Sequence, residues 1–85
     1  MYQLAYSRAA AQTMAQLPAD TRRLIKRKLA RLARAPREAA NVKSLKGHPH
    51  GYRVRIGVWR VVYTLDEKRL VVAIIRIATR GGVYK

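Results

Sequence analysis

Arg53, Arg55 and Arg60 lie in a stretch, Gly51 to Leu65, in which apolar and cationic residues alternate. Side chains of extended backbone point to opposite faces in turn, so Arg53 and Arg55 share one face while Tyr52, Val54 and Ile56 share the other. Guanidinium groups match phosphate oxygens in charge and geometry. Several of them on one surface suit the binding of a phosphodiester and the stabilisation of negative charge that grows on it. Further on, Arg80 and Tyr84 flank Gly81-Gly82, which permits a tight path back towards that basic face. Other chemistries lack their residues. Metal ligation has only His48 and His50 in a Pro-containing loop, with no Cys and four acids in the chain. The same shortage excludes Ser-His-Asp, Cys-His and paired-carboxylate systems, and no Gly-rich loop precedes a helix to cradle a nucleotide. No metal and no cofactor is expected.

The elements that must position these arginines follow from pattern. A two-residue turn at Gly57-Val58 makes Gly51 to Leu65 a β-hairpin in which Ile56 pairs with Trp59, Arg55 with Arg60, Val54 with Val61 and Tyr52 with Tyr63. That register turns Tyr52, Trp59 and Tyr63 towards the core, so packing rather than base stacking is their expected role. It also sets Arg55 opposite Arg60, which is destabilising unless a polyanion lies over the face. Before the hairpin, Tyr2 to Tyr6 reads as a strand, and Ser7 caps a helix from Arg8 to Gln16 with the stripe Ala10, Met14, Leu17. Pro18 interrupts. Asp20 is expected to cap a second helix from Thr21 to Arg34, ended by Pro36 and carrying Leu24, Ile25, Leu29 and Leu32 on its apolar face. Residues 37–50 read as a loop punctuated by Gly47, Pro49 and Gly51. After a turn at Asp66-Glu67-Lys68, the run Leu70 to Ile77 is almost continuously apolar and predicts a central strand buried on both faces.

The chain has 85 residues, which predicts a single domain with one modest core. It carries 19 Lys and Arg against 4 Asp and Glu, a net charge of +15, far more than solubility requires. A polyanionic partner is expected. The second helix concentrates Arg22, Arg23, Lys26, Arg27, Lys28, Arg31 and Arg34, and with Lys43 and Lys46 these form a candidate RNA-docking surface. No apolar run approaches the roughly 18 residues of a membrane span. A soluble, cytoplasmic protein is expected, since the first residues also lack a signal-peptide pattern and Cys is absent.

Tyr52-Arg53-Val54-Arg55-Ile56-Gly57, Trp59-Arg60-Val61-Val62-Tyr63, the apolar run, and Arg80 with Val83-Tyr84 together resemble the RelE/ParE superfamily of toxins from bacterial and archaeal toxin–antitoxin systems. The likeness spans nearly the whole chain. It implies an α+β RelE-like fold over residues 1–85: strand, helix, helix, three strands, with a small antiparallel sheet packed on a helical hairpin. The RelE branch cleaves messenger RNA in the ribosomal A site, and the ParE branch poisons DNA gyrase. The resemblance implies the first activity, metal-independent, with the catalytic set Arg53, Arg55, Arg60, Arg80 and Tyr84. Gyrase poisoning, a non-catalytic RNA- or ribosome-binding module, and a degenerate toxin that still binds its antitoxin are the alternatives. Arg60 falls where RelE-like enzymes have the phosphate-binding arginine, and Arg80 and Tyr84 where they have the C-terminal arginine and tyrosine, while Arg53 and Arg55 stand where some relatives have Lys and Thr79 where many have His or Lys. Arg stays protonated in proteins, so Arg53 and Arg55 are poor bases and are assigned to the phosphate. Tyr84, a ribosomal group or solvent is left to remove the 2′-hydroxyl proton, and stacking on a substrate base is an equally compatible role for Tyr84. The implied partners are an acidic RelB-like antitoxin, the ribosome and messenger RNA.

Overall fold

Ser7 joins the first two elements, and its chemistry shows why they meet there. The computed structural model describes residues 1–79. Strand β1 (Gln3–Tyr6) runs straight into helix α1 (Arg8–Gln16), with Ser7 extended between them. The Ser7 Oγ accepts the Ala10 N–H at 3.0 Å, satisfying one of the helix's unpaired amides, as the sequence predicts. The same hydroxyl donates to the Ile75 carbonyl at 2.6 Å, pinning the helix start to a strand 68 positions away. Helix α2 (Ala19–Leu32) starts one turn after α1 ends. Its N-cap is Pro18, not Asp20, and no side chain caps it. Proline presets a backbone angle that suits a helix start. Asp20 lies inside the first turn and pairs with Arg23 at 2.6 Å in full solvent. At the other end the helix stops at Leu32, two residues short of expectation, and the Arg34 and Ala35 amides bond the Arg31 and Leu32 carbonyls as the last turns tighten before Pro36.

Four further strands complete the sheet: β2 (Val42–Ser44), β3 (Gly51–Ile56), β4 (Trp59–Asp66) and β5 (Val71–Thr79), in the spatial order β1-β5-β4-β3-β2. The β3–β4 hairpin has the expected register, Tyr52 with Tyr63, Val54 with Val61, Arg55 with Arg60 and Ile56 with Trp59. Gly57 makes its turn with φ +61°, a backbone region that L side chains rarely enter. Both helices cover one face of this sheet. Ala10, Met14, Leu17, Ile25, Leu29 and Leu32 pack there on Val54, Ile56, Val61, Tyr63, Leu65, Val72, Ile74 and Ile77. Tyr63 is fully buried, stacks on Tyr52 with ring centroids 5.6 Å apart, and donates its hydroxyl to the Pro36 carbonyl. Burial pushes its phenol pKa well up. Trp59 is half-buried against the same core, so all three aromatics of the hairpin pack as the register requires.

The α+β class is as expected, and three details differ. Residues 42–44, read as loop, form the edge strand β2, pairing antiparallel with β3. Three residues with one apolar side chain carry no periodic signal; the strand exists because the edge of β3 offers it partners. The sheet is mixed, since β1 lies parallel to β5 while the other pairs are antiparallel. Finally, the apolar run is neither central nor buried on both faces. β4 holds the centre, Leu70 precedes β5 at φ 56°, and Ile75 is 43% exposed, because the helices cover only one side. A bulge intervenes here: Tyr63 pairs with Ile74 and Val62 with Arg76, leaving Ile75 as an extra residue.

Candidate functional site

Strand alternation sets Arg53 and Arg55 of β3 and Arg60 and Val62 of β4 on the face the helices leave open. Pairing then fixes their neighbours. Arg55 stands directly opposite Arg60, and Lys43 of β2 directly opposite Arg53. Just before β2, Asn41 takes a left-handed conformation at φ 67°, which Asn tolerates, and its carbonyl accepts the Arg55 amide at 3.3 Å. Asn41, Lys43, Arg53, Arg55 and Arg60 line one open depression of about 320 Å³. Among the described residues that lining has four cations and no acid. Two like-charged cross-strand pairs oppose folding, as does their crowding into one concavity.

Within the depression Arg60 is the most constrained. Its side chain is half-buried, and its Nε–H is out of contact with water without a hydrogen-bond partner among the described residues. A buried donor left unpaired costs roughly 1–3 kcal/mol, and natural structures seldom keep one idle. An anionic oxygen in the depression would satisfy it. Three of the four acids are engaged elsewhere: Asp20 with Arg23, Asp66 with Arg69, and Glu67 with both Arg37 and the Tyr2 hydroxyl. Such a cluster can bind a phosphodiester and hold charge as it develops on the phosphoryl oxygens. Its arginines cannot take up a proton.

The other candidates divide. Arg80 and Tyr84 lie outside the described residues; the last described residue, Thr79, pairs with Trp59, adjacent to Arg60. Lys43, read as an RNA contact, is brought into the depression itself. Lys46 is exposed beyond β2. Arg22, Arg23, Lys26, Arg27 and Arg31 belong to α2, in the layer on the far side of the sheet. Among them Arg22 is half-buried and donates to the Leu17 carbonyl at 2.8 Å, closing the corner between the helices. Its Nε also lacks a partner among the described residues, although its guanidinium already serves that carbonyl. Arg27 and Arg31 edge a groove of about 500 Å³ floored by Met1, Tyr2 and Leu4.

Two residues of the open face escaped the sequence reading. Asn41 sits in what reads as loop. Arg76 interrupts an otherwise apolar run, and that interruption is the signal that could have found it, because a cation in a strand with one buried face must lie on the other.

Comparison with known proteins places this geometry in context. The family model of the ParE toxin of type II toxin–antitoxin systems matches residues 4–84. A curated protein of Methanocaldococcus jannaschii, provisionally named toxin RelE1, is 42% identical over 50 residues, which cover 59% of this chain and 56% of that protein. The chain thus spans little more than half the length of this relative. Among solved structures, the toxin in the intact E. coli RelBE toxin–antitoxin complex superimposes with a TM-score of 0.81 at 27% identity, over 94% of this chain and 98% of that one. The isolated E. coli RelE toxin gives 0.81 at 28% identity over 99% and 92%. The archaeal RelE–RelB complex from Pyrococcus horikoshii OT3 gives 0.80 at 27% over 95% and 97%.

Proposed function

We infer the function from membership: the chain belongs to the RelE/ParE toxin superfamily of type II toxin–antitoxin systems. We propose that it is a RelE-like endoribonuclease that cuts messenger RNA in the ribosomal A site, acting as a single domain and without metal. The observation that supports this reading is the buried Arg60 Nε, without a partner among the described residues, in a depression lined by three arginines and a lysine. In the proposed reaction a ribose 2′-hydroxyl attacks the adjacent phosphorus and the 5′-oxygen leaves. Arg53, Arg55 and Arg60 hold the phosphate and stabilise its dianionic transition state, with Arg80 assigned to the charge on the leaving 5′-oxygen until that oxygen takes a proton from solvent. The proton on the attacking hydroxyl passes to Tyr84, a ribosomal group or solvent, since no arginine can accept it. A surface site without its own base depends on the ribosome to align the reacting atoms, so naked RNA is a poor substrate. The partner in the cell is an acidic RelB-like antitoxin that covers this face or displaces the segment bearing Tyr84.

A second reading, a ParE-like gyrase poison, is favoured by the matching family model itself, which describes ParE. One experiment separates the two. Purified protein is added to ribosomes programmed with a message, and to gyrase with supercoiled plasmid. Cleavage in the A site leaving a 2′,3′-cyclic phosphate or its 3′-phosphate product supports the nuclease; intact messages with gyrase-linked DNA breaks overturn it.

A further inference from the structure

Arg76 owes its place on the open face to the bulge at Ile75. In β5, Val72 and Ile74 point into the core, so strict alternation would send residue 76 there too. The extra residue resets the phase. Ile77 becomes the buried one, at 3% exposure, and Arg76 is exposed opposite Val62. Bulges re-aim side chains at functional surfaces. This one turns a guanidinium out of the core and adds it to a face that already crowds four cations into one depression.

The placement is specific. Arg53 and Arg76 flank Val62 on neighbouring strands, so a row across the sheet reads cation, half-buried valine, cation. At strand spacings of roughly 4.8 Å the two arginine backbones stand about 10 Å apart. Arg76 does not line the depression that holds Asn41, Lys43, Arg53, Arg55 and Arg60. A cation beside the depression, separated from it by an apolar patch, matches the repeat of a single nucleic-acid strand, in which apolar sugar and base surface separates one phosphate from the next.

We propose that Arg76 forms a second phosphate subsite, binding the phosphodiester next to the one in the depression, so that the site grips at least two consecutive phosphates of single-stranded RNA across β3, β4 and β5. Arg76 is thus a binding and positioning residue for the proposed reaction, acting on the strand and not on the bond that breaks. The inference rests on the reading of the open face as an RNA phosphate site. It adds a direction to that reading, since the strand runs across the sheet towards β5 and away from the β2 edge.

The test measures binding of short RNAs, made uncleavable by 2′-O-methylation, to the whole chain and to its Arg76→Ala, Arg76→Gln and Arg76→Lys variants, at several salt concentrations. A dinucleotide with one phosphodiester is compared with trinucleotides extended at either end. For the unmodified chain, extension at one end is expected to tighten binding several-fold, and extension at the other end much less. In Arg76→Ala and Arg76→Gln that increment is lost and the slope of log affinity against log salt falls by about 0.7, the value for one phosphate of a single strand; Arg76→Lys keeps both. In the ribosome assay the neutral variants raise KM and leave kcat within a few-fold, which a merely structural role would not do. Two neutral substitutions of an exposed residue guard against one misfolding, and unfolding of both overturns the proposal, because Arg76 is then structural. An increment unchanged in the neutral variants overturns it as well and leaves the phosphate reading intact. Failure of the unmodified chain to bind any of the RNAs overturns both.

Discussion

Arg60 combines two features that oppose folding, a charge facing Arg55 across the hairpin and a buried Nε–H without a partner among the described residues. A residue kept against those penalties should release stability when it is removed. Arg60→Ala is therefore expected to unfold at the same temperature as the unmodified protein or higher, checked by thermal melting; a clear drop would make Arg60 structural. Tyr63 is the opposite case. Its hydroxyl is buried on the Pro36 carbonyl, and Tyr63→Phe strands that acceptor, with a loss of roughly 1–3 kcal/mol expected in denaturant titration. Burial raises the Tyr63 pKa in the folded protein above the unfolded value near 10, so the native state holds its proton more tightly. This contribution is complete below pH 10 and fades as pH climbs towards the folded value. The stability gap between the unmodified protein and Tyr63→Phe should narrow in that alkaline window. Arg53, Arg55 and Arg60 were legible as one face because simple alternation governs both hairpin strands. Arg76 was not, since a bulge resets its phase and no local pattern announces the bulge.

The hairpin could be read to the residue because its two strands, its glycine turn and its apolar face all demand the same register. At that turn Gly57 has open space around the position a Cβ would take, so Gly57→Ala suffers from its positive φ alone. About 1–2 kcal/mol is expected to be lost in stability, with little loss of binding in the depression, measured by denaturation and RNA titration. Loss of binding without loss of stability would mean that the turn itself contacts the ligand. Strand β2 was illegible for a different reason. Residues 42–44 acquire strand conformation from the edge of β3, and tertiary pairing leaves no mark on three residues. The second-helix cap was misassigned to Asp20 because a proline boundary competed with a good capping residue two positions too late. In β5, composition announced a buried strand correctly on one face. Composition does not say that both helices lie on the same side of the sheet.

At the scale of the whole molecule, the chain carries a net charge of +15, and its described cations include clusters on the open sheet face and on α2. Neutralising it calls for an acidic partner, and encounter between opposite charges is steered over distances that salt screens. The association rate of the proposed antitoxin should fall steeply between low and physiological salt while the dissociation rate changes less, as stopped-flow mixing would show; a salt-independent association rate would deny charge a leading part. Expression of this chain alone should arrest growth, and co-expression of an acidic antitoxin should restore it. The most direct test of the central claim is the rate of message cleavage in programmed ribosomes by Arg60→Ala relative to the unmodified protein. Loss of one preorganised donor to the transition state predicts a fall of roughly 10²-fold or more, in a variant that melts no lower than the parent. An undiminished cleavage rate in that folded variant would contradict the assignment of the depression as the place where the phosphate reacts.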